Sequence, residues 1–360
     1  MSTPDQLLVR EIRQGESTAW ARLIERYEGR LAAFVETRVR DRAASEDIVQ
    51  ETFVGFLTSL PHFDERRGLE TYLFSIAAHK LTDHLRRQGR RPAAREADAG
   101  SRSPGLDDVV SPERRASSLA RSREREQIEA KVLGAALVAL VEQWTSRGEW
   151  ERLKCIELLF VRGRANKEAA AALGISEQTV ANYKYQAIQR LRELVGERGG
   201  GSRAVASGRK APSEPADEQD ERGIGLPASA TDGDLVGYLD EGLPAEEMVR
   251  VEQGLRQSAA LRRQLERIQQ DREAGLGSVA SVWRGARASC PARGEWGSFL
   301  LETLPEGRRE YLEFHVRVVG CRYCQANLSD LRRAQEEPVA QASQRRQRFF
   351  QSSAGLLSRR

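Results

Sequence analysis

The chain has 360 residues, enough for two or three domains, and its longest apolar run, VLGAALVALV at 132–141, suits a core helix better than a bilayer span. Lys and Arg (57) nearly balance Asp and Glu (53) at a net charge of +4, so a nucleic-acid surface has to come from local clustering of basic residues. Four cysteines, two of them in one CxxC, argue against a disulfide framework and leave room for a metal site, and the polar start MSTPDQLLVREIRQ is unlike a signal peptide, so the chain is expected in the cytoplasm.

Residues 5–40 place Leu7, Leu8, Ile12, Trp20, Leu23, Ile24, Tyr27, Leu31, Phe34 and Val35 at helical intervals, with Gly15 between two helices. In SEDIVQETFVGFL, Ser45 is the expected cap, Glu46 and Asp47 favour the positive helix end, and Val49, Phe53, Phe56, Leu57 and Leu60 form an inward stripe. The opposite face shows Asp47, Gln50, Glu51 and Thr52, an acidic and polar surface suited to a basic partner helix. After Pro61, LETYLFSIAAHKLTDHLRRQGRR predicts a second helix with Tyr72 and Phe74 near its start. His79, Lys80, His84, Arg86, Arg87, Arg90 and Arg91 lie toward its end, as in a surface that meets phosphate on one side only.

DIVQETF followed by YLFSIAAHKLTDHLRR resembles the second conserved domain of bacterial RNA polymerase sigma factors of the small extracytoplasmic-function (ECF) group, and AWARLIERYEGRLAAFV resembles the opening helix of that domain. The resemblance implies that Asp47, Gln50, Glu51 and Phe53 contact the polymerase clamp. It also implies that Tyr72, Phe74, His79, Lys80, Arg86 and Arg87 melt and read the minus-ten promoter element. Ala78 stands where the family often has Arg.

Residues 93–125, rich in Pro, Gly, Ser and charge, are expected to be a flexible linker. Helical periodicity returns at Glu126. Cys155, among Leu153, Ile156 and Leu159, reads as a small buried hydrophobe. In KEAAAALGISEQTVANYKYQAIQRLREL, Gly174 permits a tight turn and Ser176 caps a second helix whose Ile175 and Val180 suit a hydrophobic staple. The pattern predicts a helix-turn-helix over 126–196 and resembles the fourth sigma domain, which reads the minus-thirty-five element. The residues implied for DNA contact are Glu177, Gln178, Thr179, Asn182, Tyr183, Lys184, Gln186 and Arg190. Ala181, Asn182, Tyr183 and Gln186 occupy places that are usually basic in the family, so fewer phosphate contacts are expected there.

Residues 197–230 form a second expected linker. Beyond it DLVGYLDEGLPAEEMVRVEQGLRQSAALRRQL (234–265) echoes EWGSFLLETLPEGRREYLEFHVRVVGCRYCQANLSDL (295–331) through a shared Leu-Pro, giving two copies of one helical hairpin, over 231–270 and 288–335. The second copy carries Cys290, His315, Cys321 and Cys324, a set that can close a tetrahedron around zinc. It resembles the zinc-binding anti-sigma fold, with five residues rather than three between His315 and Cys321. The first copy has Gly254, Ser258 and Leu261 at the matching places and cannot bind metal there. Residues 336–360 form a basic tail with Phe349, Phe350, Leu356 and Leu357, suited to an acidic or apolar surface.

The expected architecture is all-α: two helical sigma-like domains joined by a flexible linker, then helical hairpin modules. The expected function is that of a sigma factor that brings RNA polymerase core to promoter DNA, with a C-terminal regulatory module that masks the polymerase-binding surface or meets another protein. Two alternatives stay open: a helix-turn-helix regulator that never joins polymerase, and a zinc-dependent interaction scaffold. No Ser/His/Asp set, Walker loop or dinucleotide fingerprint is present, so no enzymatic activity is expected.

Overall fold

The computed structural model describes residues 3–64, 68–89, 113–198, 230–273 and 278–357, and among these every regular element is helical. Both expected linkers lie largely or wholly outside the described residues, as do Arg90 and Arg91. No described helix is long and apolar enough to cross a membrane.

The first unit is built from α1 (Thr3–Arg13), α2 (Ser17–Glu36), α3 (Arg42–Ser59) and α4 (Leu69–Arg87), with a 3-10 turn at Leu60–His62 before α4. Trp20 is fully buried, edge-on to Phe53 at 5.8 Å and stacked on Phe56 at 6.2 Å. Contrary to the sequence expectation, Ser45 does not cap α3. Asp41 accepts hydrogen bonds from Ala43 N (2.8 Å) and Ala44 N (3.3 Å), while Ser45 Oγ donates back to Asp41 O (2.8 Å). An Asp side chain reaches the free amides of the first turn as well as Ser does, so the helix starts before the acidic run.

The second unit contains α5 (Glu113–Ser146), α6 (Trp150–Ile156), a π-helical turn (Glu157–Val161), α7 (Asn166–Leu173) and α8 (Glu177–Arg198). Helix α5 begins at Glu113, inside the stretch expected to be linker. The helix-turn-helix forms as expected: Gly174 takes φ +68 after α7, and Thr179 N donates to Ser176 Oγ at 3.0 Å to cap α8.

The C-terminal part comprises α9 (Asp232–Leu239), α10 (Ala245–Gln257), α11 (Ala259–Glu273), α12 (Val279–Ala286), α13 (Arg293–Leu300), α14 (Glu306–Arg317), α15 (Arg322–Glu336) and α16 (Val339–Ala354). The internal echo is real in the backbone. Gly242 N donates to Gly237 O (2.8 Å) in the first hairpin and Thr303 N to Ser298 O (3.0 Å) in the second, and the preceding Glu241 and Glu302 share a left-handed φ, 51 and 56. In the metal-free copy Ser258 caps α11 through Leu261 N, at 3.2 Å. A Cβ on Gly254 would meet Leu261 Cδ2 at 3.0 Å, so the two residues pack closely where the second hairpin carries candidate ligands.

The lengthened spacing between His315 and Cys321 also has a physical reason. Gly320, in the extra loop, sits at φ +70 with its α-carbon against Pro244, and a Cβ there would come within 2.3 Å of the proline ring. The loop thus seats one hairpin on the other. Replacing Gly320 by Ala combines a left-handed backbone with this clash and is expected to cost about 2 kcal/mol, read as a lower thermal melting temperature. A variant that melts with the wild type would refute this role for the loop.

The tail is an ordered helix rather than a loose extension. Helix α16 lies across α2 and α3: Phe349 is buried against Phe53 (5.7 Å), Trp20 Nε1 donates to Ser353 Oγ (2.8 Å), and Arg345 forms a buried ion pair with Glu28 (2.8 Å) and another with Glu337. Arg346 pairs with Glu25 (2.8 Å) and Arg348 with Glu46 (3.0 Å). The C-terminal helices therefore complete both upstream cores: Ala326, Phe349 and Leu357 join the first, and Trp283, Trp296, Tyr311 and Leu312 join the second.

Candidate functional site

Four side chains on three segments converge at the start of α15. Cys290 follows α12, His315 ends α14, and Cys321 and Cys324 bracket the first turn of α15; their ligand atoms all lie within 4.8 Å of one another. The thiol sulfurs of Cys290 and Cys321 are 3.7 Å apart. His315 Nδ1 contacts Glu157 Oε1 at 2.9 Å, while Nε2 is buried with no hydrogen-bond partner. A buried imidazole nitrogen aimed at three thiols, its other nitrogen fixed by a carboxylate, is the donor arrangement of a tetrahedral metal site with outer-shell support.

Hydrogen bonds from Cys290 and Cys324 draw the Cys321 thiol well below its usual pKa, while burial pushes Cys324 well above it. Burial works against a charged His315, but the Glu157 carboxylate outweighs it and holds the imidazole well above its usual pKa. Glu157 is fully buried, also accepts from Tyr311 Oη (3.1 Å) and from Ser289 Oγ, and lies in the π-helical turn of the second unit. Nothing in its sequence surroundings marked it as a partner of His315. Cys155 stays apart, fully buried, with burial pushing its thiol up to about 11.

The residues expected to meet polymerase divide. Asp47 and Glu51 are exposed on α3, Gln50 is half-buried, and Glu51 pairs with Lys80 at 3.3 Å. Phe53 is different: it is fully buried between Trp20 and Phe349 and offers no surface in this arrangement. Helix α16 covers Phe53 and reaches Glu46, and Asp47 and Glu51 stay exposed beside it.

On α4 the aromatics point inward. Phe74 packs edge-on to Phe34 (5.3 Å) and Tyr323 (5.2 Å), and half-buried Tyr72 lies against Phe63 (4.7 Å). Phe74 is fully buried and presents no face to a base here, whereas Tyr72 is only half-buried. His79, Arg86 and Arg87 are exposed, and His79 and Arg86 line a cleft of about 510 Å³ between α4 and the C-terminal module. On α8, Glu177, Gln178, Asn182, Lys184 and Gln186 are exposed, whereas Thr179 serves the cap. Tyr183 turns inward, donating to Glu151 (2.8 Å) with the Arg152 guanidinium 5.2 Å over its ring. Arg190 is held by Gln143 (3.1 Å) and Glu193 (2.8 Å). Tyr185, not singled out from the sequence, is 65% exposed on the same helix.

Arginines tie these parts together. Arg322, fully buried, donates to Glu241 Oε2 (2.7 Å), Phe34 O (3.0 Å) and Thr37 Oγ1 (3.0 Å). Arg287 pairs with Glu70 of α4 at 2.7 Å, and Arg162 of the second unit with Glu247 of α10 at 2.5 Å.

Residues 23–91, which span most of α2 and all of α3 and α4, match the Sigma-70 region 2 family. The RNA polymerase sigma-H factor of Pseudomonas aeruginosa is 29% identical over 133 residues, 36% of this chain and 65% of that protein. The ECF RNA polymerase sigma-E factor of Haemophilus influenzae is 33% identical over 114 residues, 30% of this chain and 60% of that protein. The ECF RNA polymerase sigma factor BldN of Streptomyces coelicolor is 26% identical over 189 residues, covering 52% and 64%. The chain thus spans a little under two thirds of the length of these relatives. A Sigma-70 region 2 falls on the first helical unit, and the chain is similar to these bacterial sigma factors.

Proposed function

We propose that this protein directs bacterial RNA polymerase core to promoters and starts transcription there. The observation that carries the reading is the region 2 match falling on α2–α4, where Asp47 and Glu51 are exposed on one helix and His79, Arg86 and Arg87 on the next. In this reading Asp47, Gln50 and Glu51 meet the polymerase clamp, and His79, Lys80, Arg86 and Arg87 meet the minus-ten element. The exposed face of α8, with Gln178, Asn182, Lys184 and Gln186 and with Tyr185 added, meets the second element. The protein acts by binding, and the role places it in the cytoplasm.

Cys290, His315, Cys321 and Cys324 would hold a structural zinc ion, which supplies a cross-link among α12, α14 and α15 when bound. The C-terminal module acts within its own chain. It fastens the two DNA-contacting units to each other through Arg38–Glu252 and Arg287–Glu70 on one side and Arg162–Glu247 on the other, so reaching two separate promoter elements requires the module to shift.

Run-off transcription with purified core polymerase and a promoter library tests the reading, with defined transcripts as the expected result. A core-enzyme pull-down separates it from a helix-turn-helix regulator that works alone. Failure of the chain both to bind core and to start any transcript would overturn it.

A further inference from the structure

The metal-free hairpin has kept the turn geometry of its metal-binding counterpart but not its chemistry. Glu302 of the second hairpin is exposed, as expected for a turn residue, whereas Glu241 in the same left-handed conformation is 1% exposed. A carboxylate is driven inward only where cations receive it. Here they are Arg322, at 2.7 Å, and Arg38 of the first unit, at 3.9 Å. Glu252 on α10 gives Arg38 its second partner in a buried pair. The acidic edge of this hairpin thus faces the unit that carries α4.

That edge also lies over α4 itself. Thr82 Oγ1 donates to Glu241 Oε1 at 3.4 Å, and Arg256 of α10 donates to Gly89 O, just past the end of α4, at 3.4 Å. His79 and Arg86 share the lining of the cleft with Asp240 and Glu241, whose carboxylates are held by Arg284 and Arg322. A space of about 510 Å³ suits one small molecule and not a run of nucleotides. Hydroxyl, imidazole and guanidinium groups are also the groups that bind phosphate oxygens, and carboxylates compete for the same donors.

We propose that the hairpin α9–α10 is an acidic plug for the promoter face of α4, so that its seating and the seating of a promoter strand exclude one another. The proposal rests on the sigma-factor reading of α4. It gives this copy a task distinct from its counterpart: with Gly254, Ser258 and Leu261 in place of candidate ligands, its acidic edge is held by ion pairs for which phosphate can compete.

The test uses the full chain carrying Glu241→Gln and Glu252→Gln, which keep side-chain shape and remove the charges that hold Arg38. Binding of a fluorescent single-stranded DNA oligonucleotide is read by anisotropy, and opening of residues 232–257 by amide hydrogen exchange. The double variant is expected to exchange faster across α9–α10 and to bind the oligonucleotide at least about tenfold more tightly than wild type, with a steeper salt dependence. Adding Arg86→Ala is expected to abolish the gain. Should the double variant fail to fold, Arg256→Ala, at the exposed rim, supplies the same comparison without a buried change. Unchanged affinity in a chain whose hairpin has opened, or unchanged exchange, would overturn the plug. A chain that gains DNA affinity but does not bind core polymerase would instead overturn the sigma reading and leave the plug standing.

Discussion

Truncation after Glu337 is expected to destabilise the α1–α4 unit by more than about 5 kcal/mol, a large part of the margin that holds a typical domain folded. The loss has three sources. Removing Arg345 leaves Glu28, 2% exposed, short of its buried partner, and breaking a buried pair from one side costs about 3–5 kcal/mol. Removing Phe349 uncovers Phe53 and Trp20, at about 2 kcal/mol or more for a large apolar side chain. Removing Ser353 leaves the Trp20 indole N–H without its acceptor, a further 1 kcal/mol or so. Circular-dichroism melting checks this, with Arg345→Met and Phe349→Ala as milder companions expected to show part of the loss. A truncated chain that melts with the full one would show that α16 rests on the surface without supporting it.

The same packing bears on how release of the module should be studied. Deleting residues 231–360 is the experiment that the sequence suggests, with a rise in transcription as the expected sign of inhibition. In the folded chain that deletion strips Ala326, Phe349 and Leu357 from one core and Trp283, Trp296 and Tyr311 from the other. Lost activity would then report lost folding. Point changes in the ion pairs open the module without emptying either core.

Much of this was legible in the sequence, and the exceptions share a cause. Helical periodicity, the Gly174 turn with its Ser176 cap and the two hairpins are local patterns, and the structure forms all of them. The metal cluster was legible because its chemistry is restricted to few residue types. Tertiary partnerships were not. Phe53 and Phe74 look alike in sequence whether they meet a partner or a core, and only the arrival of Phe349 and Tyr323 from more than two hundred residues away decides it. The tail's basic and aromatic composition pointed to an acidic or apolar surface, but which surface was not legible, because Glu25, Glu28 and Glu46 belong to helices far upstream. Glu157 and Glu241 are ordinary acids in ordinary surroundings until the fold buries them beside His315 and Arg322.

Removing metal is expected to disturb two parts of the molecule at once, because the cluster is joined to both. The purified chain should carry one zinc ion, and cobalt(II) in its place should show the absorption of a tetrahedral thiolate site. Chelation, or Cys324→Ala, leaves the buried His315 Nε2 and the remaining thiols converging on nothing. The first turn of α15 then loses its anchor to α12 and α14, and Arg322, next to Cys321, loses the geometry by which it reaches Glu241 and Phe34 O. On the other side Glu157 loses an ordered His315 and remains a buried carboxylate with only Tyr311 and Ser289 to satisfy it, which loosens the π-helical turn leading to the helix-turn-helix. Structural zinc is worth about 10–16 kcal/mol in isolated fingers. Here apolar packing around Trp283, Trp296 and Tyr311 carries part of the load, so a loss of about 5 kcal/mol is expected, or roughly 10–20 °C in melting temperature. Cys155→Ala, which removes a thiol outside the cluster, should leave the zinc stoichiometry unchanged. A chain that holds no zinc and melts at the same temperature with and without chelator would show that these four residues pack as a reduced, metal-free cluster.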